Sequence, residues 1–377
     1  MAISRRKASF EIRPAVCAAG ENYMICIPTD GDMLMSVFVD GEEYTYDNCG
    51  VKVSTCYVQK FVIPMSALNS AKKYTVVYER IKREAYCSEK EPPVKKDFSF
   101  YPIEKEDGIN IYHLSDVHGR RVSGIKAGKY FDENLDILIL NGDISSSSQT
   151  AKETLLPLDM AFEITKGERP CVITRGNHDL RGVFAEKIHE FYPLDNGRFY
   201  YTVKLGPVWI MVLDCGEDKN DDNHEYAGTI AFHKYRKKET EFIRSLCDSR
   251  DNPIENEEKY KIVVSHIPFS HRNYKPDAVL NEFDIESETY GEWVRLINEK
   301  IKPSFGLFGH VHNTVVSIGD GARYNDRNLN CPLVLGGRPL TNDVIGCAIT
   351  LSGSGADIAF SNSRHKVIGN EHIELNL

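Results

Sequence analysis

Short apolar runs closed by glycine, aspartate or histidine set the rhythm of the later two-thirds of the chain. Ile109–Leu114, Asp136–Leu140, Cys171–Thr174, Lys261–Ser265 and Phe305–Phe308 read as buried strands. Between them lie segments with helical spacing: Gln149–Thr165, with the run Ser145–Ser148 placed to cap its start, Gly182–Phe191, Phe232–Cys247 with its charges on one face, and Glu286–Lys300. Phe199–Lys204 and Val208–Leu213 predict a hairpin around Gly206-Pro207. Beyond His312 only strands follow, at Thr314–Ile318, Leu333–Leu335, Ile345–Leu351, Ala356–Phe360 and Lys366–Leu375. Alternation of strand and helix followed by late antiparallel strands predicts an α/β fold, a sandwich of sheets flanked by helices.

The first hundred residues carry a different pattern. Tyr23–Ile27, Leu34–Val39, Cys56–Ile63, Tyr74–Arg83 and a segment near Phe98–Tyr101 read as strands, separated by Asp30-Gly31-Asp32, Asp40-Gly41, Asn48-Cys49-Gly50 and Asn69-Ser70. Short strands at this spacing predict a small all-β sandwich. Leu68, Tyr74, Val76 and Tyr78 resemble the corner of a fibronectin type III or immunoglobulin-like sandwich, where a tyrosine hydroxyl bonds back to its own chain. An ordinary alternating strand fits the same residues. A hydrophilic passage with Pro92-Pro93 and Lys95-Lys96 precedes the last of these strands, and Glu104 to Gly108 follows it. The expected division is 1–106 for the sandwich and 107–377 for the larger domain.

With 377 residues the chain is long enough for two domains. A net charge of −9 argues against general adhesion to nucleic acid or to acidic membranes. The ten cysteines contain no C-x-x-C pair, and Cys171 and Cys215 lie in or beside apolar runs, the pattern of reduced structural thiols in a cytoplasmic protein. Met1 to Arg6 is basic with no apolar run behind it, so it does not read as a secretory signal, and no stretch approaches the roughly 20 apolar residues of a membrane span. Gly124 to Lys129 fails the phosphate-loop spacing, and Gly353-Ser354-Gly355 fails both the dinucleotide and the nucleophile-elbow patterns.

The chemistry lies in the punctuation. Asp116-Val117-His118-Gly119, Gly142-Asp143, Gly176-Asn177-His178-Asp179, Ser265-His266 and Gly309-His310-Val311-His312 each follow an apolar run. In open α/β sheets ligands gather at the carboxyl ends of strands. Asp oxygens, an Asn carbonyl and several imidazoles without thiolate suit Mn, Fe or Zn, and there are more such groups than one ion uses. Taken singly each piece has a plainer explanation: Asp143 as a helix cap, His266 as a buried structural histidine. Five in order behind five strands point to one shared site.

This ordered set resembles the calcineurin-like metallophosphoesterase superfamily, from Ile109 to about His312. The resemblance implies a dinuclear metal centre that hydrolyses phosphate mono- or diesters. Asp116, His118 and His312 would hold the first ion, Asn177, His266 and His310 the second, and Asp143 would bridge both. A bridging hydroxide would attack phosphorus. His178 would point at the leaving group, and Asp179 would orient His178 and keep it protonated. Purple acid phosphatases share much of this skeleton, often behind an N-terminal sandwich. They have glycine where His118 stands and tyrosine where Ser146 stands, so no tyrosinate–iron ligand is expected.

Signals for the substrate are sparser. Arg120, Arg121, Lys126 and Lys129 read either as a basic mouth or as a solvated loop, and of Arg175 and Arg181 the second is the candidate phosphate contact. Glu217 to Glu225 would repel long polyanions if it overhangs the pocket, which His224 and His271 could line. A phosphorylated small molecule is therefore the expected substrate, with no membrane partner. The sandwich stands free to bind a protein partner or a second copy. The alternatives are a purple-acid-phosphatase-like phosphatase, a nuclease or cyclic-nucleotide phosphodiesterase, and a metal-stabilised scaffold without catalysis.

Overall fold

A computed structural model describes residues 10–83, 88–248, 258–272, 286–319 and 321–375. The basic segment Met1 to Arg6 lies outside them. Two sheets packed face to face form the centre. The larger runs, in spatial order, through Val367–Glu374, Gly355–Asn362, Val344–Ser352, Ile109–Leu114, Ile137–Asn141, Cys171–Thr174, Ala15–Ala19, Asn22–Pro28 and Val58–Pro64. The smaller runs Tyr201–Leu205, Val208–Leu213, Tyr260–Ser265, Phe305–Phe308, Leu333–Gly336 and Thr314–Ser317. Ile109–Leu114, Ile137–Asn141 and Cys171–Thr174 are mutually parallel, as are Val208–Leu213, Tyr260–Ser265 and Phe305–Phe308.

Side chains alternate across a strand, so each of these central strands feeds two cores. Ile137 and Ile139 meet Ile210, Val212, Ile262 and Leu307 between the sheets. Leu138 and Leu140 face the other way onto Leu158, Met160 and Ala161 of the helix Leu156–Thr165. On the far side Met211, Leu213 and Val263 pack under Ile243 and Trp293 of the helices Phe232–Cys247 and Ser287–Leu296. Burial on both faces is why these strands are continuous apolar runs in the sequence. The order helix, sheet, sheet, helix is the expected α/β architecture. Among the described residues no helix is long and apolar enough to cross a membrane.

The N-terminal sandwich is present. Val94–Ser99, Lys73–Arg83, Met33–Val39 and Glu42–Thr45 form its outer sheet. Its inner sheet is Ala15–Ala19, Asn22–Pro28 and Val58–Pro64, and this sheet does not stop at the expected division near residue 106. Ala15–Ala19 pairs in parallel with Cys171–Thr174 through Cys17 and Cys171, so the sandwich and the larger domain share one sheet. Tyr74 occupies the corner position above buried Leu68, but its hydroxyl does not return to its own turn. It donates to the Gly167 carbonyl at 2.8 Å, across the seam. Arg13 reinforces the seam with ion pairs to Asp159 (2.6 Å) and Glu163 (2.8 Å) on the helix Leu156–Thr165.

Local differences have local causes. The helix expected at Gln149–Thr165 is broken into Ala151–Thr154 and Leu156–Thr165 where Pro157 removes a donor. It is capped by Thr150 with Glu153 in a reciprocal capping box, rather than by Ser145–Ser148. Gly182–Phe191 forms only short turns at Ala185–Lys187 and Ile188–Phe191. Of Arg120, Arg121, Lys126 and Lys129, read as a basic mouth or a solvated loop, Arg121 and Lys126 lie on a helix, Arg121–Gly128. A Cβ at Gly124 would lie 2.5 Å from Met160 and one at Gly128 2.3 Å from Ile164, so these glycines let two helices touch and serve no phosphate.

Candidate metal centre

All five motifs leave the carboxyl ends of strands on the two packed sheets, and the turns hold one another. The Asp116 amide donates to Gly142 O (3.2 Å), that of His118 to Asp143 O (2.9 Å) and that of Gly309 to His266 O (2.9 Å). Asp116, His118, Asp143, His310 and His312 all have left-handed backbones, with φ of 55°, 47°, 54°, 67° and 51°. Each costs roughly 1–2 kcal/mol, least for Asp, and is imposed by the neighbouring turns. Glycine is required where turns meet: a Cβ at Gly142 would lie 2.7 Å from the His266 ring, and one at Gly309 would lie 1.8 Å from Ser115 Oγ.

The structure brings together every metal-ligating candidate. Asp116, His118 and His312 offer donor atoms within 4.8 Å of one another, and so do Asp143, His266 and His310. His118 Nε2 faces His312 Nε2 at 3.0 Å, and His312 Nε2 is 3.4 Å from Asp116 Oδ1. His266 Nε2 is 3.3 Å from Asp143 Oδ2. Asn177 Oδ1 adjoins His310 Nδ1 at 3.1 Å.

Each of these groups has one end tied and one end turned inward. Asp116 Oδ2 accepts from Ser115 Oγ (2.6 Å) and the His310 amide (2.9 Å), which leaves Oδ1. Asp143 Oδ1 accepts from the His178 amide at 2.9 Å, which leaves Oδ2. His266 Nδ1 donates to Asn141 O at 2.8 Å, which turns Nε2 toward the Asp143 carboxylate. His310 Nε2 stands 3.5 Å from Asp218 Oδ2.

This donor set fits metal ions on two counts. Asp116 Oδ1 and His266 Nε2 are buried and make no hydrogen bond, a state that buried polar atoms rarely tolerate. Finally, desolvation holds His118 and His310 down to about 4, leaving neutral rings with lone pairs to give. His266 goes the other way: although desolvation opposes it, Asp143 and Asp116 push it up to about 10, the charge that a metal ion would replace.

His178 sits at the mouth, with Nδ1 at 3.0 Å from Ser146 O and Nε2 at 3.0 Å from Arg181 Nη1. The expected support from Asp179 is a correction. The short turn His178–Leu180 sends the Asp179 carboxylate inward, where it accepts from the amides of Gly176 (2.7 Å) and Asp143 (3.1 Å) and from the Tyr192 hydroxyl (3.0 Å). Desolvation and the Asp143 charge raise its pKa to about 6. Asp179 therefore clamps two ligand turns together, while Ser146 O and Arg181 orient His178.

Arg175 is also spent on structure, paired with Asp214 at 2.7 Å under the Phe199 ring. Arg120 donates to Leu340 O, Arg121 pairs with Asp159, and His271 bonds Asp326 at 2.7 Å. Several contributors escape sequence reasoning. Ser115 Oγ holds Asp116 and Asn141 O holds His266, both from the strand ends. Gly337 leaves room for Asp116, where a Cβ would lie 2.4 Å from Oδ2. Of the acidic stretch, Glu217 and Asp218 are buried against Arg181 and His310.

A sequence model of the family described as calcineurin-like phosphoesterase matches residues 109–314. The purple acid phosphatase PPD1 from yellow lupin (Lupinus luteus) seeds superimposes with a TM-score of 0.63 at 13% identity, over 96% of this chain and 74% of that one. PhoD superimposes with a TM-score of 0.57 at 10% identity, over 98% of this chain and 90% of that one. At such identities the likeness is one of fold. No curated protein matches the chain in sequence.

Proposed function

The chain belongs to the calcineurin-like phosphoesterase family and is a phosphoester hydrolase; from that premise we propose that it hydrolyses small phosphate mono- or diesters at a dinuclear metal centre. The carrying observation is the convergence of seven donors from five strand ends around Asp116 Oδ1 and His266 Nε2, buried atoms that make no hydrogen bond. Asp116, His118 and His312 would hold one ion, Asn177, His266 and His310 the other, with Asp143 shared between them. Mn, Fe or Zn suits the mixed oxygen and imidazole set. When bound, such a pair supplies Lewis acidity and lowers the pKa of water.

The chain's own residues do the rest. Asn141 O and Asp218 orient His266 and His310 by their outer nitrogens. Ser146 O fixes Nδ1 of His178, which leaves Nε2, beside Arg181, as the ring atom that would serve the leaving oxygen as general acid. Arg181 lies beside it, placed to donate to a phosphoryl oxygen. The described cysteines are free thiols, which supports a reducing, cytoplasmic setting that fractionation of cells expressing the chain would test. Metal-reconstituted protein assayed on aryl phosphates tests the activity, with Asp143→Asn and His178→Ala as controls. Turnover that survives both substitutions overturns the reading.

A further inference from the structure

Beside the centre the structure holds a cleft of about 790 Å³, within the range of small-molecule sites. Arg181 belongs to both: its Nη1 is 3.0 Å from His178 Nε2, and its side chain forms one wall of the cleft. A phosphate held at His178 and Arg181 therefore has the cleft as its neighbouring space for the esterified alcohol.

The walls state what that alcohol is. Leu180, Val183, Tyr226, Ile230 and Phe232 supply an apolar and aromatic surface, with Val183 67% exposed at its edge. The cleft's only basic side chains among the described residues are Arg175 and Arg181. Arg175 is committed to Asp214, and Arg181 faces Glu217 at 3.3 Å with its Nε on the Tyr226 hydroxyl at 3.2 Å. No basic lining residue is left for a second phosphate. The remaining lining charges are carboxylates: Glu186, exposed, and Glu225, exposed and 3.7 Å from the Lys219 ammonium, which lies outside the lining.

Resting on the function proposed above, we infer that this cleft is the leaving-group subsite. Its substrate class is a phosphoester carrying one phosphate on a bulky, largely apolar alcohol whose far end is cationic. A dianionic or polyanionic leaving group would meet two carboxylates and no free cation; an ammonium group would be drawn to them.

The test compares ethyl, benzyl, 4-(aminomethyl)benzyl and 4-carboxybenzyl phosphate with metal-loaded protein. These alcohols leave with similar ease, so differences in kcat/KM report the subsite. The expected order is aminomethylbenzyl, benzyl, carboxybenzyl, with at least tenfold between first and last, and benzyl at least tenfold above ethyl, in the range that apolar pockets supply. Val183→Asp and Ile230→Asp should lower kcat/KM for benzyl phosphate at least tenfold more than for ethyl phosphate. Glu186→Gln with Glu225→Gln should bring the amine and carboxylate substrates within about threefold. Equal rates on ethyl and benzyl phosphate, or a preference for the carboxylate, overturn the inference while leaving the phosphoesterase reading intact. Should none of the esters turn over, calorimetric binding of the matching phosphonates separates the two: the same order of affinity supports the subsite and sinks only the hydrolysis, whereas no binding sinks the subsite as well.

Discussion

The carboxyl ends of the central strands and the seam that joins the sandwich to the same sheet lie on one continuous structure but are built on opposite terms. The seam is regular. Ala15–Ala19 and Cys171–Thr174 pair as parallel strands, Tyr74 finds the Gly167 carbonyl, and Arg13 finds two carboxylates. The strand ends are irregular: five left-handed non-glycine backbones, facing imidazoles, and buried carboxylate and imidazole atoms that make no hydrogen bond. Local satisfaction at the seam serves stability. Dissatisfaction at the strand ends is the signature of groups arranged for something outside the chain. Substitutions should therefore separate cleanly, with activity lost at one place and stability at the other.

The largest effect belongs to the shared carboxylate. Asp143→Asn keeps the oxygen that receives the His178 amide but removes the charge between the two triads. We expect kcat/KM on an aryl phosphate to fall by more than about 10³-fold, with metal content below one ion per chain and the metal-free thermal midpoint little changed. A folded variant that keeps its metal and its rate would break the contrast.

Next is His178→Ala, expected to cost roughly 10²–10⁴-fold in kcat while metal content stays at the wild-type level, if His178 acts on the leaving group as proposed rather than as a ligand. Loss of metal together with rate would move His178 into the ligand set, where its distance of 3.9 Å from Asp143 Oδ2 leaves room for it.

At the seam the signs reverse. Tyr74→Phe strands the Gly167 carbonyl in a buried setting and should destabilise by about 1–3 kcal/mol in denaturant melts, with kcat/KM unchanged. A drop in rate without a drop in stability would show that the seam steers the site.

The smallest effect is electrostatic. The hydrogen bond from Arg13 holds Glu163 down to about 2 from its ordinary 4.5. A depressed carboxylate contributes stability that is complete above the unfolded value and is lost as pH falls from about 4.5 toward 2. Screened by solvent, the loss should amount to roughly 1 kcal/mol, and Glu163→Gln should flatten that part of the profile. A profile that is the same in both proteins would remove Glu163 from the seam's account.

Sequence and structure agree best where chemistry fixes both residue type and spacing. The candidate ligands were legible because oxygen and imidazole donors recur behind apolar runs, and the central strands because burial on two faces leaves no polar break. Ala15–Ala19 was not legible: its small residues carry little strand signal, and its partner lies more than 150 positions away. Nor was the part played by Asp179. Adjacency to His178 suggested a partnership, yet a turn of the 3₁₀ type points the two side chains in different directions. Asp218 escaped because its stretch reads as a solvated acidic loop, whereas only the fold reveals that His310 and Arg181 cover it.

The central claim is that the strand ends hold a pair of metal ions and use them. Metal content per chain by mass spectrometry, after reconstitution with Mn, Fe or Zn and removal of loose ions, tests it most directly when aryl phosphate turnover is followed on the same samples. The account predicts an approach to two ions per chain, with turnover rising as they bind and vanishing under chelation. Protein that holds less than one ion in saturating metal, or whose turnover ignores the chelator, would contradict it.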